Sequence, residues 1–226
     1  MDDVLEIGAA ESYTGIIRSP DAREHVPALV AAARTIGAAQ IQNRGTLGGN
    51  LANASPAGDT LPVLLAYDAV VATDRRSLPI DKFFTGYRKT ALQSDELITA
   101  VLLTPGRGVQ QFAKVGTRNA IVIAVCSFAL SLDPSRRRVG TGIGSAAPTP
   151  LRASAAEDFL AGELAWQAPA ELSDAVVDRF GELVAAAASP IDDVRGTAAY
   201  RRRALSVLAR RTLRWAWAAY RMGPST

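Results

Sequence analysis

The chain has 226 residues, 48% of them hydrophobic and 21% charged, with a formal net charge of +3, so it is too apolar to be disordered and long enough for one domain or two small packed ones. One cysteine and one histidine exclude an iron–sulfur cluster, a structural zinc site or an internal disulfide built from this chain alone. The longest apolar run, residues 121–132, is interrupted by Ser127 and Ser131 and falls short of the ~20 residues a membrane span needs, and the acidic start at Asp2 and Asp3 is no secretory signal, which together imply a cytoplasmic protein with no membrane span.

Residues 24–36 are alanine-rich and helical in pattern, with Pro27 tolerated in the first turn and Gly37 ending the run. Residues 40–59 differ. They have almost no periodicity, are dense in Gly, Asn, Thr and Ser, and close on Asp59, an expected N-cap ahead of Thr60, Leu61 and Pro62. Strands are expected over 70–73, 97–103, 110–115, 121–132 and 137–142, with breaks at Thr104, Pro105 and Gly106 and over 116–119. Beyond Pro148 and Pro150 the pattern turns helical: 154–160, then a stripe of Leu172, Val176, Phe180, Leu183 and Ala187, then an arginine-bearing helix. This order gives an α+β fold class rather than a doubly wound sheet. The change near Pro105 divides the chain into residues 1–106 and 107–222, with an interface between the halves because neither buries its apolar faces alone.

Candidate functional residues are few. Cys126 sits in an apolar run and reads as a small buried side chain, not a nucleophile. His25 reads as a capping or surface residue. Arg195, Arg201, Arg202, Arg203, Arg210, Arg211, Arg214 and Arg221 form a dense cationic series, but Leu205, Leu208, Thr212, Trp215 and Ala219 make an apolar stripe that puts most of these arginines on a solvated face. No aromatic platform accompanies them, so no nucleic-acid role is assigned. Residues 142–147 match the dinucleotide fingerprint in form, yet Pro148 and Pro150 follow where a helix must open, so they read as a strand and turn.

The segment that carries chemistry is 44–59. Gly48 and Gly49 allow close backbone approach and turn successive N–H groups to one side, a concavity suited to an anion. Thr46, Asn50, Asn53 and Ser55 add neutral polar groups, and Asp59 adds an acceptor. It is not a P-loop, since no Gly-Lys-Ser/Thr occurs. The alternative reading is a pair of tight turns.

Residues 40–59 closely resemble the second FAD-binding segment of the flavoprotein subunits of molybdenum hydroxylases, the family that includes the medium subunit of aerobic carbon monoxide dehydrogenase and the FAD domain of xanthine dehydrogenase. Residues 83–92 with Asp95, Glu96, Leu97 and Ile98 resemble the end of that FAD domain. Phe112, Ala113 and Lys114 with Arg118 resemble the opening strand of the family's C-terminal domain, and residues 192–202 a segment near its C-terminus. The resemblance implies a partial FAD-binding domain of the vanillyl-alcohol-oxidase/PCMH type, followed by a small domain with an antiparallel sheet and a helix bundle. It implies FAD as cofactor, with molybdopterin on a large partner subunit and 2Fe–2S clusters on a small one, and electron transfer from those clusters to NAD or another acceptor. Carried over to this chain, Thr46, Leu47, Gly48, Gly49, Asn50 and Asn53 would line the flavin and diphosphate, Asp59 would contact the ribityl or sugar hydroxyls, and Lys114 would reach the flavin from the second domain.

Phe112 shares a strand face with Lys114, so that a ring and a cation could face one ligand; the alternative, and the one preferred, is that Phe112 is core. Two departures stand out. The start of this chain matches a point after the family's first Gly-Gly phosphate loop, which implies a gene start upstream, a truncated coding sequence, or loss of tight FAD binding in a structural subunit. Val122 stands where the family often has an aspartate.

Overall fold

The computed structural model describes residues 4–104 and 108–223. Pro105 and Gly106, where the break and the division of the chain are expected, lie outside the described residues, as do Asp2 and Asp3. The first unit opens with β1 (Leu5–Gly8) and continues through α1 (Tyr13–Arg18), α2 (Pro20–His25), α3 (Pro27–Arg34), α4 (Ala39–Arg44), α5 (Leu47–Asn53) and α6 (Thr60–Ala66). Then come β2 (Val70–Thr73), β3 (Ser77–Pro79), α7 (Ile80–Phe83), β4 (Phe84–Gly86), β5 (Lys89–Thr90) and β6 (Ile98–Leu103). Strands β1, β6, β2 and β3 form an antiparallel sheet in that order, and β4 pairs with β5.

The second unit has β7 (Gln110–Val115), β8 (Cys126–Asp133) and β9 (Arg138–Gly144) in one antiparallel sheet, followed by α8 (Ser154–Glu163), α9 (Asp174–Ala187) and α10 (Ala198–Met222). The architecture is thus α+β, as the order of patterns implies. Among the described residues no helix is long and apolar enough to cross a membrane.

Local chemistry sets many of the boundaries. Ser12 and Ser19 accept from the Gly15 and Ala22 amides at the starts of α1 and α2, and Pro20 and Pro27 occupy the first turns of α2 and α3. Gly37 takes φ +51° just after α3, a conformation open to glycine. Residues 40–59, expected to be aperiodic, instead contain α4 and α5. These are six and seven residues long, too short to display a helical period and stabilised by tertiary contacts. The strand expected from residue 121 begins at Cys126; the preceding Ile121 has φ 52° and is exposed.

The two units meet along α6. All seven of its residues are buried, which marks a helix enclosed on every side. Its second-unit neighbour is β9, where Gly140, Gly142 and Gly144 share one strand face at a spacing of two. A Cβ at Gly142 would overlap the Pro62 carbonyl, and one at Gly140 the Ala66 carbonyl. The glycine run that matches a nucleotide fingerprint therefore serves packing: it removes side chains so that a helix can lie flush on a strand.

Polar contacts fasten both ends of α6. At its start, Lys114 Nζ donates to Asp59 Oδ2 at 2.6 Å, to Thr35 O at 2.9 Å and to Val122 O at 3.1 Å. Asp59 is thus not the expected side-chain cap: it sits at the N-cap position without a side-chain cap bond, its carboxylate turned to Lys114. At the other end, Asp68 pairs with Arg138 and Arg152, and Arg152 Nη2 donates to Glu157 Oε2 at 2.7 Å. Between them Tyr67 donates to Gln110, whose Nε2 donates to His25 O at 2.9 Å.

The second core is built on Phe128, Leu130, Phe180, Leu205 and Leu213. Cys126 lies within it, fully buried, its thiol pushed up to about 12 by burial, as a packing residue would be. Phe112 packs against the first core, as expected. On α9 the buried positions are Val177, Phe180, Gly181 and Val184, one step from the expected stripe. On α10 the buried face is Arg201, Leu205, Leu208, Ala209, Thr212, Leu213, Ala216 and Trp217. Trp215 is 51% exposed. Ten residues beyond Leu205 it falls about 80° off the stripe, whereas Ala216 falls about 20° off it. Arg201, expected on the solvated face, is only 3% exposed.

Two outcomes follow from this interface. Gly142→Ala should lower unfolding free energy by about 1–3 kcal/mol through overpacking against Pro62, measurable in a urea melt. Lys114→Met leaves Asp59 buried without its cation, and losing one partner of a buried pair costs about 3–5 kcal/mol. Burial already raises the Asp59 carboxyl above its ordinary range, with Lys114 and Thr35 opposing, so removing Lys114 raises it further. A carboxyl raised in the folded state favours folding when protonated. Stability of that variant should therefore fall as pH rises from about 4 through the raised value, and pH-resolved melts check the sign.

Candidate functional site

Thr46 Oγ1 accepts from the Gly49 amide at 3.0 Å and so starts α5. The chain that enters it is braced by residues 9–13: Leu47 N donates to Glu11 O at 3.0 Å and Gly48 N to Ala9 O at 2.9 Å. A Cβ at Gly48 would come within 2.8 Å of that Ala9 oxygen, so this glycine is needed for close backbone packing. Leu47 and Gly48 are buried, and Leu47 belongs to the first core. The amides of Leu47, Gly48 and Gly49 are therefore all engaged within the protein, and their engagement places α5 rigidly at the edge of a cleft.

The floor of that cleft is the stretch from Asn50 to Asp59. Asn50 is oriented by Thr60, whose Oγ1 donates to Asn50 Oδ1 at 2.5 Å, and Gly58 leaves room for the Asn50 amide, since a Cβ there would lie 3.0 Å from its Nδ2. Two adjoining cavities share Asn50, Ala57, Gly58 and Ile123. The smaller, about 280 Å³, is lined by Ile36, Asp59, Ile121 and Val122 as well. The larger, about 630 Å³, runs past Asn53 and Ser55 to Tyr87 and Arg88 on one side and to Ser145, Asp193, Arg195 and Arg201 on the other. The second unit supplies that far wall, and the two walls are stitched by Ser145 N donating to Pro56 O at 2.8 Å.

Of the sequence-derived residues, Asn50, Asn53 and Asp59 line the cavities. Lys114 is brought to Asp59, as described, while Thr46, Leu47, Gly48 and Gly49 lie behind the floor and anchor it. Asp59 Oδ2 is satisfied, but Asp59 Oδ1 is buried with no hydrogen-bond partner. A buried acceptor of this kind calls for a donor, and a ligand hydroxyl in the smaller cavity would be one. Val122 contributes its carbonyl to Lys114. Exposed Ile121, Ile123 and Tyr87 offer apolar surface beside these polar groups. A ligand with a flat apolar part and hydroxyls fits this combination.

Six wall residues, Tyr87, Arg88, Ser145, Asp193, Arg195 and Arg201, are not assigned to the site from sequence. Arg201 Nη1 donates to Val125 O and Ser145 O, each at 2.6 Å, and Nη2 lies 2.5 Å from Asp193 Oδ1. One buried guanidinium thus ties together the loops before β8, after β9 and before α10. Burial alone would raise the Asp193 carboxyl, but the Arg195 amide and the guanidinium groups of Arg201 and Arg195 outweigh it and hold the group below its ordinary value. The available signal was the acidic pair Asp192 and Asp193 set close to Arg195 and Arg201.

Residues 1–104 match the family described as the FAD binding domain in molybdopterin dehydrogenase, and residues 111–216 match the CO dehydrogenase flavoprotein C-terminal domain. The chain is 34% identical over 223 residues to the nicotine 6-hydroxylase medium subunit of Paenarthrobacter nicotinovorans, an alignment covering 93% of this chain and 74% of that subunit. It is 35% identical over 167 residues to the xanthine dehydrogenase FAD-binding subunit of Escherichia coli, covering 69% of this chain but only 57% of that one. Its fold superposes on carbon monoxide dehydrogenase from Hydrogenophaga pseudoflava with a TM-score of 0.85 at 28% identity, covering 95% of this chain and 75% of the other. With both domains matched in order over nearly the whole chain, this protein belongs to the FAD-binding medium-subunit family of the molybdenum hydroxylases.

Proposed function

We propose that the chain holds FAD in the interdomain cleft and acts as the electron-transfer subunit of a molybdenum-containing hydroxylase. It would receive electrons from 2Fe–2S clusters on a small partner subunit, with molybdopterin on a large one, and pass them to NAD or another acceptor. We further place the division between its units at residues 106/107. The observation that carries the assignment is the cavity floored by Asn50 and Asp59 and walled by Ile121 and Ile123, beside which Asp59 Oδ1 is left unpaired.

The flavin supplies the redox chemistry when bound, and the side chains supply position and environment. Asp59 keeps one oxygen on Lys114 and presents the other as an acceptor for a hydroxyl. Lys114, held by three oxygens, places a cation next to that carboxylate and adds favourable potential for negative charge developing in the cleft. Asn50 and Asn53 provide amide groups along the floor, and Ile121 and Ile123 shed water from it. Thr46, Leu47, Gly48 and Gly49 fix α5, so that this floor is in place before any ligand arrives.

Purified chain mixed with FAD should keep a yellow flavin spectrum through gel filtration. A folded, colourless product would instead support a flavin-free structural subunit. Asn53→Ala, an exposed change, should weaken FAD binding about fivefold, the loss of one hydrogen bond, with the melting temperature of the unliganded chain unchanged. Flavin fluorescence titration and thermal melts check both halves.

A further inference from the structure

Helix α10 carries seven arginines and no Asp, Glu or Lys over its 25 residues. Three of the seven are answered by acids: Arg201 by Asp193, Arg210 by Asp178 and Arg214 by Asp174. Arg202, Arg203, Arg211 and Arg221 are exposed and have no ion-pair partner among the described residues. These four uncompensated cations exceed the +3 of the whole chain. The excess charge of the protein is thus gathered on one helix, and its potential selects an acidic neighbour.

The same helix exposes apolar side chains in a line. Val207 is 40% exposed, Trp215 51% and Met222 80%. With 3.6 residues per turn these three fall within about 80° of arc and span about 22 Å of helix axis. Arg211 falls between them on that arc, and Arg203 and Arg221 lie about 40° to one side of Val207. Exposed Tyr200 extends the line toward the helix start. The opposite face, through Leu205, Thr212 and Ala216, is fixed in the second core, so the stripe is presented on a rigid support. Apolar residues scattered singly on a surface are ordinary, but a line of them set among arginines is not. Trp, Met and Arg are enriched at protein–protein contacts, where Lys, Glu and Asp are depleted, and α10 has this composition.

We propose that the outer face of α10 docks an acidic amphipathic helix of a partner subunit. The apolar line is one side chain wide and straight, which a second helix matches with its own stripe, ridge into groove. Glutamates or aspartates beside that stripe then meet Arg203, Arg211 and Arg221, as flanking charges do along a paired-helix seam. The proposal goes beyond the flavin reading and rests on it only for the partner being a subunit of the same complex.

Other occupants fit less well. A second copy of this chain sets the stripe on itself and brings unpaired arginines together. A nucleic-acid backbone answers the arginines but gives Val207 and Met222 nothing to pack on. A lipid surface takes up a helix whose apolar face sinks about 5–10 Å into it, and the broad apolar face of α10 is already buried in the second core.

The test combines the purified full chain with a designed helical peptide, a leucine seam flanked by glutamates, and follows hydroxyl-radical oxidation of Trp215 and Met222 together with isothermal titration. Saturable binding that weakens with salt is expected, with both side chains protected. Trp215→Ala and Arg211→Glu, both at exposed positions, should each weaken it about tenfold, the scale of an aromatic or arginine anchor, with melting temperatures unchanged. The same peptide with lysines in place of the glutamates should not bind. Absence of protection, equal binding of the lysine peptide, or an affinity unaltered in both variants overturns the proposal. So does a preference for duplex DNA or phosphatidylserine vesicles over the glutamate peptide, or a dimer of the free chain that Trp215→Ala dissolves. Co-expression with the molybdopterin and iron–sulfur subunits of its own organism separates the two readings. A complex that assembles with Trp215 and Met222 still oxidisable sinks the docking face and leaves the subunit assignment standing. A chain that binds the acidic peptide but joins no complex does the reverse.

Discussion

Everything at the cleft depends on how closely α6 approaches β9. Helices normally stand about 8–10 Å from what they pack on because side chains intervene, and here alternate positions of the strand are glycines, so the helix backbone itself meets the sheet. That approach decides the width of the space between the units. It also explains why a short, wholly buried helix is found there: with no solvated face, α6 is stable only when both units enclose it.

Close apolar packing resists separation but is poor at fixing rotation, and the polar contacts supply what it lacks. Lys114 with Asp59 and Thr35 pins the start of α6, while Arg138 and Arg152 with Asp68 pin the turn after its end. Buried charges are expensive to desolvate, so the Lys114–Asp59 pair adds little net stability compared with an apolar replacement, and the pairs of half-exposed Asp68 are weakened by solvent. Their value in this chain is geometric. Each pair is satisfied only in one arrangement of the units, and in that arrangement the Asn50–Asp59 floor faces the Ser145 and Arg201 wall.

Much of this was legible in the sequence, and the failures have a common cause. The bounds of β2 and β7 follow from apolar alternation, which is a local property, and they were read without error. The prolines at 148 and 150 rightly pointed to a strand and turn over residues 142–147, with no helix opening after the glycines. What sequence could not show was tertiary. α5 is held by bonds to residues 9 and 11 and a threonine cap, and α4 by side-chain bonds from Gln42 to Arg34 O and Ile36 O and from Thr14 to Asn43, rather than by periodicity. Asp59 looks like an N-cap until Lys114, 55 residues away, claims its carboxylate. Arg201 reads as surface because arginine on a helix usually is; its partners Val125 and Ser145 lie 76 and 56 residues distant.

A division of labour follows between the walls. The first unit offers neutral amides, hydroxyls, the Asp59 carboxylate and the guanidinium of Arg88. The second offers the guanidinium groups of Arg195 and Arg201 with the Asp193 carboxylate between them. Both cavities are lined from both units, so they exist only once the units are docked. Affinity then becomes a function of interface rigidity, since any rotation between the walls misaligns one set of donors while the other is engaged. On this argument the glycine strand and the ion pairs at the two ends of α6 set the shape of the cleft, and of their residues only Asp59 is also part of its lining.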